Sequence, residues 1–189
     1  MQKHSLWAVP APALAAHHDL AAGGSDEGSA VLTVPPGGRL PENVVATLAS
    51  MPGELNRLVQ GKSDEQLWQP AQDGGWGMVE ILPHLRDWEV IIADRVDRIL
   101  TQEMPTLDEY DDSLWAIEHD YRDQDPRAAL AEFSERRDAL VNRLRDIDEA
   151  DWGRVAILAK PGRVTLHWLL DRLCDHDAKH LLQARDVLA

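Results

Sequence analysis

The chain has a single cysteine, Cys174, in 189 residues. That excludes an internal disulfide framework and fits a reducing compartment, so the cytoplasm is the expected location. Cationic side chains are also scarce: 19 Lys and Arg stand against 33 Asp and Glu, a formal charge of -14. A surface of that sign repels phosphate backbones and offers no basic stripe, so no nucleic-acid partner is expected. No run of roughly 18 apolar residues occurs, which excludes a membrane-spanning helix. β signal is almost absent, and there is neither an internal repeat nor a heptad pattern long enough for a coiled coil.

What is present is the balance of a soluble globular protein, with 44% apolar and 28% charged residues. The length suits one domain with a sizeable core and an appendage at one end. Residues 1–40 are rich in Ala, Gly, Pro and Ser and read as an irregular N-terminal extension, with one short extended piece at Ala30 to Val34. The opening MQKHSLWAVPAPALAA has a short apolar run ending in small residues, as a secretory signal has. Its two prolines and single preceding lysine argue against that reading.

Residues 41–189 carry helical periodicity and form the expected domain. Val45, Leu48, Met51, Leu55 and Leu58 predict a first helix over about 42–60, bent at Pro52. Ile81, Leu85, Trp88, Ile92, Val96 and Ile99 predict a second over about 77–102. The acidic stretch 106–125 reads as a short helix or an irregular crossover. Pro126 opens a third helix over about 126–146, at a position where a missing donor costs nothing. After a turn at AKPGRV, Thr165 is a candidate N-cap for a fourth helix running to about 187, with Leu166, Leu169, Leu173, Ala184 and Val187 on its apolar face. Four amphipathic helices argue for an all-α four-helix bundle.

The stretch DHDAKHLL places His176 and His180 one turn apart. Continuing the stripe from Leu169 and Leu173 by steps of three and four reaches 176, 180 and 184, so both histidines point inward. Imidazoles at i and i+4 stand with Cβ atoms roughly 6 Å apart, close enough for both to reach one divalent ion at about 2.0–2.1 Å. The second helix offers His84, three residues after Ile81 and four before Trp88, facing the same interior. Three neutral imidazoles leave coordination positions open, the mark of a catalytic rather than a closed structural site. The competing reading is a set of satisfied core histidines.

The order GGWGMVEILPHLRDWE, LAEFSERRDALVNRL, ADWGR and PGRVTLHWLLDRLCDHDAKHLLQ resembles the DinB-like (DinB/YfiT) metalloenzyme family over about residues 42–188. The resemblance implies a four-helix bundle in which one histidine of the second helix and an H-x-x-x-H pair of the last bind a divalent metal. By position these are His84, His176 and His180. It also implies kinship in fold with bacterial thiol-dependent transferases and maleylpyruvate isomerases. Pro83, directly before His84, departs from the pattern and predicts a kink or a late start of the second helix.

Glu80 and Asp87 flank His84 and are candidates to orient an imidazole or act as general base, against a bland reading as capping or solvated carboxylates. Arg137 falls inside the third helix's stripe, so it is expected to form a structural ion pair or to recognise a substrate or cofactor anion. Asp175 and Asp177 read as surface charge, and Cys174 as a small buried residue. Trp76 and Trp88 are expected around the site or in the core, and His17 and His18 in a solvated arm. The function expected is a divalent-metal protein (Zn, Ni, Mn or Fe) acting as a hydrolase, or as a transferase with a low-molecular-weight thiol, on small electrophilic molecules. The alternatives are a non-catalytic small-molecule-binding protein of a stress response and a bundle in which metal is only a staple; a homodimer fits any of the three.

Overall fold

The computed structural model describes residues 30–189 apart from 73 and 111. The extension expected over 1–40 therefore lies outside the described residues as far as residue 29, as do the signal-like opening and His17 and His18. Helix α1 spans Pro41–Val59, α2 Asp64–Trp68, α3 Met78–Thr101, α4 Asp112–Glu118, α5 Pro126–Arg145 and α6 Leu166–Val187. The long helices α1, α3, α5 and α6 are the four expected, within two residues at each end.

Their limits follow from local chemistry. Pro41 opens α1 without needing a donor. Asp125 caps α5 by accepting the amides of Arg127 and Ala128, and Thr165 Oγ1 caps α6 by accepting the Trp168 N–H at 3.1 Å. The short α2 falls in a stretch expected to be loop; a reciprocal Ser63–Gln66 capping box starts it. Pro83 lies inside α3 and does not delay its start: the helix begins five residues earlier, at Met78.

The core lies between α1, α3, α5 and α6, with α3 packed most extensively on α5. At one end Leu48, Ile92, Val96, Leu140, Leu170 and Leu173 meet. At the other Leu55, Met78, Leu82, Leu85 and Phe133 meet beneath α2. The buried face of α1 is rotated slightly from expectation: Val44 and Val59 are buried, while Val45 and Leu58 are only half-buried.

A three-stranded sheet was not anticipated. β1 (Thr106–Leu107) pairs in parallel with β2 (Val155–Leu158), Thr106 opposite Ile157, and β2 pairs antiparallel with β3 (Arg163–Thr165), Val155 opposite Thr165. The β2–β3 connection contains a cis Lys160–Pro161 bond and Gly162 at φ +102°, a backbone region that favours glycine. Leu32 bridges Val164 alongside, which is the extended piece expected near Ala30 to Val34. Arg39 then ties this segment to α6 through Asp171 at 2.6 Å and Asp175 at 2.8 Å. Among the described residues no helix is long and apolar enough to cross a membrane.

Candidate metal centre

Helices α3 and α6 bring His84, His176 and His180 together. Each offers a ring nitrogen within 4.8 Å of the other two. His84 Nε2 lies 3.0 Å from His176 Nε2, and the rings of His176 and His180 stand 4.5 Å apart at 67°. Two ring nitrogens at 3.0 Å must share a proton or share a cation, because two lone pairs repel. His84 and His180 are buried, and His176 is half-buried.

Burial, followed by the neighbouring His180 and His176, pushes the His84 pKa down to about 2. Burial, followed by His176, takes His180 down to about 4, against a hydrogen bond with Gln183 that works the other way. Both rings are therefore neutral near pH 7, the state in which imidazole is a metal ligand. Gln183 Oε1 accepts the Nδ1–H of His180 at 3.1 Å, which leaves Nε2 of that ring with its lone pair. With His84 and His180 neutral, the three ring nitrogens form a convergent, sheltered donor set that fits a divalent ion.

Two indoles fix the ring planes. Trp76 stacks on His180 at 6.1 Å and meets His84 edge-on at 4.9 Å, while Trp88 stacks on His176 at 5.4 Å and on His84 at 6.0 Å. A cleft of about 1200 Å³ opens over the cluster, lined by Trp76, His84, His176, Lys179, His180 and Gln183 among others. Gly77 holds the approach to α3 close to α2: a Cβ there would sit 2.6 Å from the Gln69 carbonyl oxygen and 3.3 Å from Glu80 Oε2. The Gly77→Ala variant is expected to lose about 1–3 kcal/mol of stability in urea unfolding, because backbone must move to admit the methyl.

The remaining sequence candidates occupy structural positions. Glu80 Oε2 accepts the Gly77 N–H at 2.8 Å and Oε1 accepts Arg122 Nε at 2.7 Å, so it caps α3 rather than reaching an imidazole. Asp87 accepts from Arg86 at 2.7 Å, and its other oxygen lies 3.0 Å from His119 Nδ1 and 3.1 Å from the Tyr121 hydroxyl. Among the described residues the hydrogen bonds of both carboxylates go to groups other than the three histidines.

Arg137 is fully buried and pairs with Glu89 at 3.0 and 2.6 Å and with Asp177 at 2.5 and 3.3 Å; its Nη1 also donates to the Leu48 carbonyl at 3.3 Å. Its five N–H groups are all engaged, which corrects the anion-recognition alternative: no donor is left for a ligand. Asp177 is likewise no surface charge but 3% exposed. A signal for both carboxylates existed, since Glu89 lies four residues after Leu85 and Asp177 four after Leu173, each on its helix's apolar stripe. Asp175 does face solvent in part and pairs with Arg39 and Arg172, both at 2.8 Å. Cys174 is buried, as expected, and burial pushes its thiol up to about 12.

Fold and cluster together define a helix-bundle protein with a candidate three-histidine metal centre. The sequence model of the DinB superfamily matches residues 47–184, and the chain belongs to that family. It is 32% identical over 105 residues to a Bacillus subtilis protein named "Putative metal-dependent hydrolase YfiT", covering 54% of this chain and 59% of the relative. A Geobacillus thermodenitrificans protein named "Putative metal-dependent hydrolase" is 32% identical over 113 residues, covering 59% and 62%. The chain thus spans about three fifths of the length of these curated relatives. The solved structure of Bacillus subtilis YfiT, described as having an unusual four-helix bundle topology, superposes with a TM-score of 0.73 at 25% identity, covering 81% of this chain and 90% of that one.

Proposed function

We propose that the protein is a metal-dependent hydrolase of small molecules, with His84, His176 and His180 as the ligands of a divalent ion. One observation carries the reading: three ring nitrogens from two helices, each within 4.8 Å of the others, at the floor of a cleft. The names of the relatives favour hydrolysis over the other reactions such a site supports. The division into an extension over 1–40 and a bundle domain over 41–189 belongs to the same proposal.

The chemistry a divalent ion supplies in this setting is Lewis acidity, which acidifies water or a thiol and polarises a carbonyl oxygen. The chain's own groups prepare for it. His84 and His180 offer lone pairs without first releasing a proton at neutral pH. Gln183 sets the tautomer of His180, and the two indoles hold the imidazole planes and keep bulk water from their flanks. The cleft admits a small substrate to the open side of the cluster.

Zn, Ni, Mn and Fe all suit three imidazoles, so metal analysis of the purified protein comes first. About one ion per chain is expected, falling to near none in His176→Ala. Hydrolysis of an ester and amide panel is expected to disappear with the metal in that variant. Turnover only on addition of a low-molecular-weight thiol reassigns the protein as a transferase. Bound metal without turnover of either kind reassigns it as a small-molecule-binding protein.

A further inference from the structure

The buried ion cluster contains more carboxylate than Arg137 requires. Glu89 alone forms a two-pronged pair with the guanidinium, through Nε at 3.0 Å and Nη2 at 2.6 Å. A second carboxylate, Asp177, is nevertheless buried beside it, although carboxylates resist leaving water unless something specific holds them. Asp177 Oδ2 takes the short bond from Nη1 at 2.5 Å, whereas Oδ1 has only a long contact with Nη2 at 3.3 Å. That weakly engaged oxygen lies 3.6 Å from His176 Nδ1. Nδ1 of His176 is itself buried with no hydrogen-bond partner among the described residues, while its Nε2 faces His84.

We infer that Asp177, fixed by Arg137, is the positioning residue for His176: it accepts the Nδ1 proton and so holds the ring with its Nε2 lone pair turned toward the cluster. A ring tilt of under about 1 Å brings the pair within hydrogen-bond range. The role is one that a ligating histidine normally assigns to a carboxylate or carbonyl behind it. Here the arrangement links three helices, since Glu89 sits on α3, Arg137 on α5 and Asp177 on α6. Packing of α5 thereby sets the orientation of a ligand it does not itself carry. The inference rests on the metal reading above, but one of its two tests does not need the metal.

The first test compares Asp177→Leu with Glu89→Leu, each of which removes one of the two carboxylates that face Arg137. Metal-stripped full-length chains are titrated with Co²⁺ against a chromophoric chelator, with thermal midpoints recorded in parallel. Asp177→Leu is expected to weaken Co²⁺ binding by about 10–100-fold, the usual cost of losing such a partner, and Glu89→Leu to change it far less while losing thermal stability comparably. The conservative Asp177→Asn keeps an acceptor and is expected to fall between wild type and Asp177→Leu; it also serves if the leucine variant does not fold. Equal losses of affinity in the Asp177 and Glu89 variants, or none in either, overturn the inference.

The second test reads ¹⁵N shifts of His176 in the metal-free protein. The Nδ1–H tautomer is expected in wild type and the Nε2–H form that free imidazole prefers in Asp177→Leu. An Nε2–H ring in wild type overturns the inference. If wild type binds no Co²⁺ at all, the metal reading fails, and the tautomer alone decides the role of Asp177.

Discussion

Arg137→Met is expected to unfold in urea with about 3–5 kcal/mol less free energy than wild type, the cost of removing one partner from a buried ion cluster. Methionine fills much of the same volume, so the loss is not chiefly a cavity effect. The cause is the pair of carboxylates left behind, Glu89 at 2% and Asp177 at 3% exposure, with nothing to replace the five N–H donors. Burial already pushes the Glu89 carboxyl above its ordinary range even with Arg137 present. Burial acts on Asp177 in the same direction, but the charge of Arg137, with the neighbouring His176 and the Arg137 hydrogen bonds, outweighs it and holds that carboxyl below its ordinary range. Without the guanidinium both take up protons more readily. The penalty should therefore shrink between pH 7 and pH 5, and urea unfolding at the two values checks it.

The second large effect is acid lability of the metal-free protein. His84 and His180 titrate near 2 and 4 in the fold against 6.5 for the free side chain. Between pH 6.5 and 4 the unfolded chain therefore binds protons that the folded chain refuses, so stability rises with pH and falls on acidification. Each such histidine contributes a slope of about 1.4 kcal/mol per pH unit across that window. Glu89 works in the opposite direction, so the informative quantity is a difference between proteins. His180→Gln is expected to show a slope shallower than wild type by the share of one histidine, in urea unfolding of chelator-treated protein from pH 7 to 4. Equal slopes would mean that His180 titrates normally in the fold.

The long helices and the three histidines were legible because both obey one short-range rule. Steps of three and four from Leu169 and Leu173 lead to His176 and His180, and the same steps from Ile81 lead to His84. The sheet follows no such rule: β1 has two residues and pairs with β2 across about fifty, so no alternation of side chains is long enough to register. The ion cluster was only half legible. Arg137 on an apolar stripe demanded a carboxylate, but its partners are 48 residues before it and 40 after, and only the packed bundle selects them. Asp177 sits beside a histidine, at the edge of the single inner face that steps of three and four define, whereas α6 packs against both α1 and α3 and buries a wider arc.

The indoles of Trp76 and Trp88, stacked within about 6 Å of the imidazoles, give the protein an optical gauge of its own. An open-shell ion such as Co²⁺ or Ni²⁺ held by the three histidines would lie close enough to drain the excited states of the indoles, whereas closed-shell Zn²⁺ would not. Loading the proposed site with an open-shell ion would thus be read as a partial loss of the ultraviolet emission of the unlabelled chain, and loading it with Zn²⁺ would leave that emission in place.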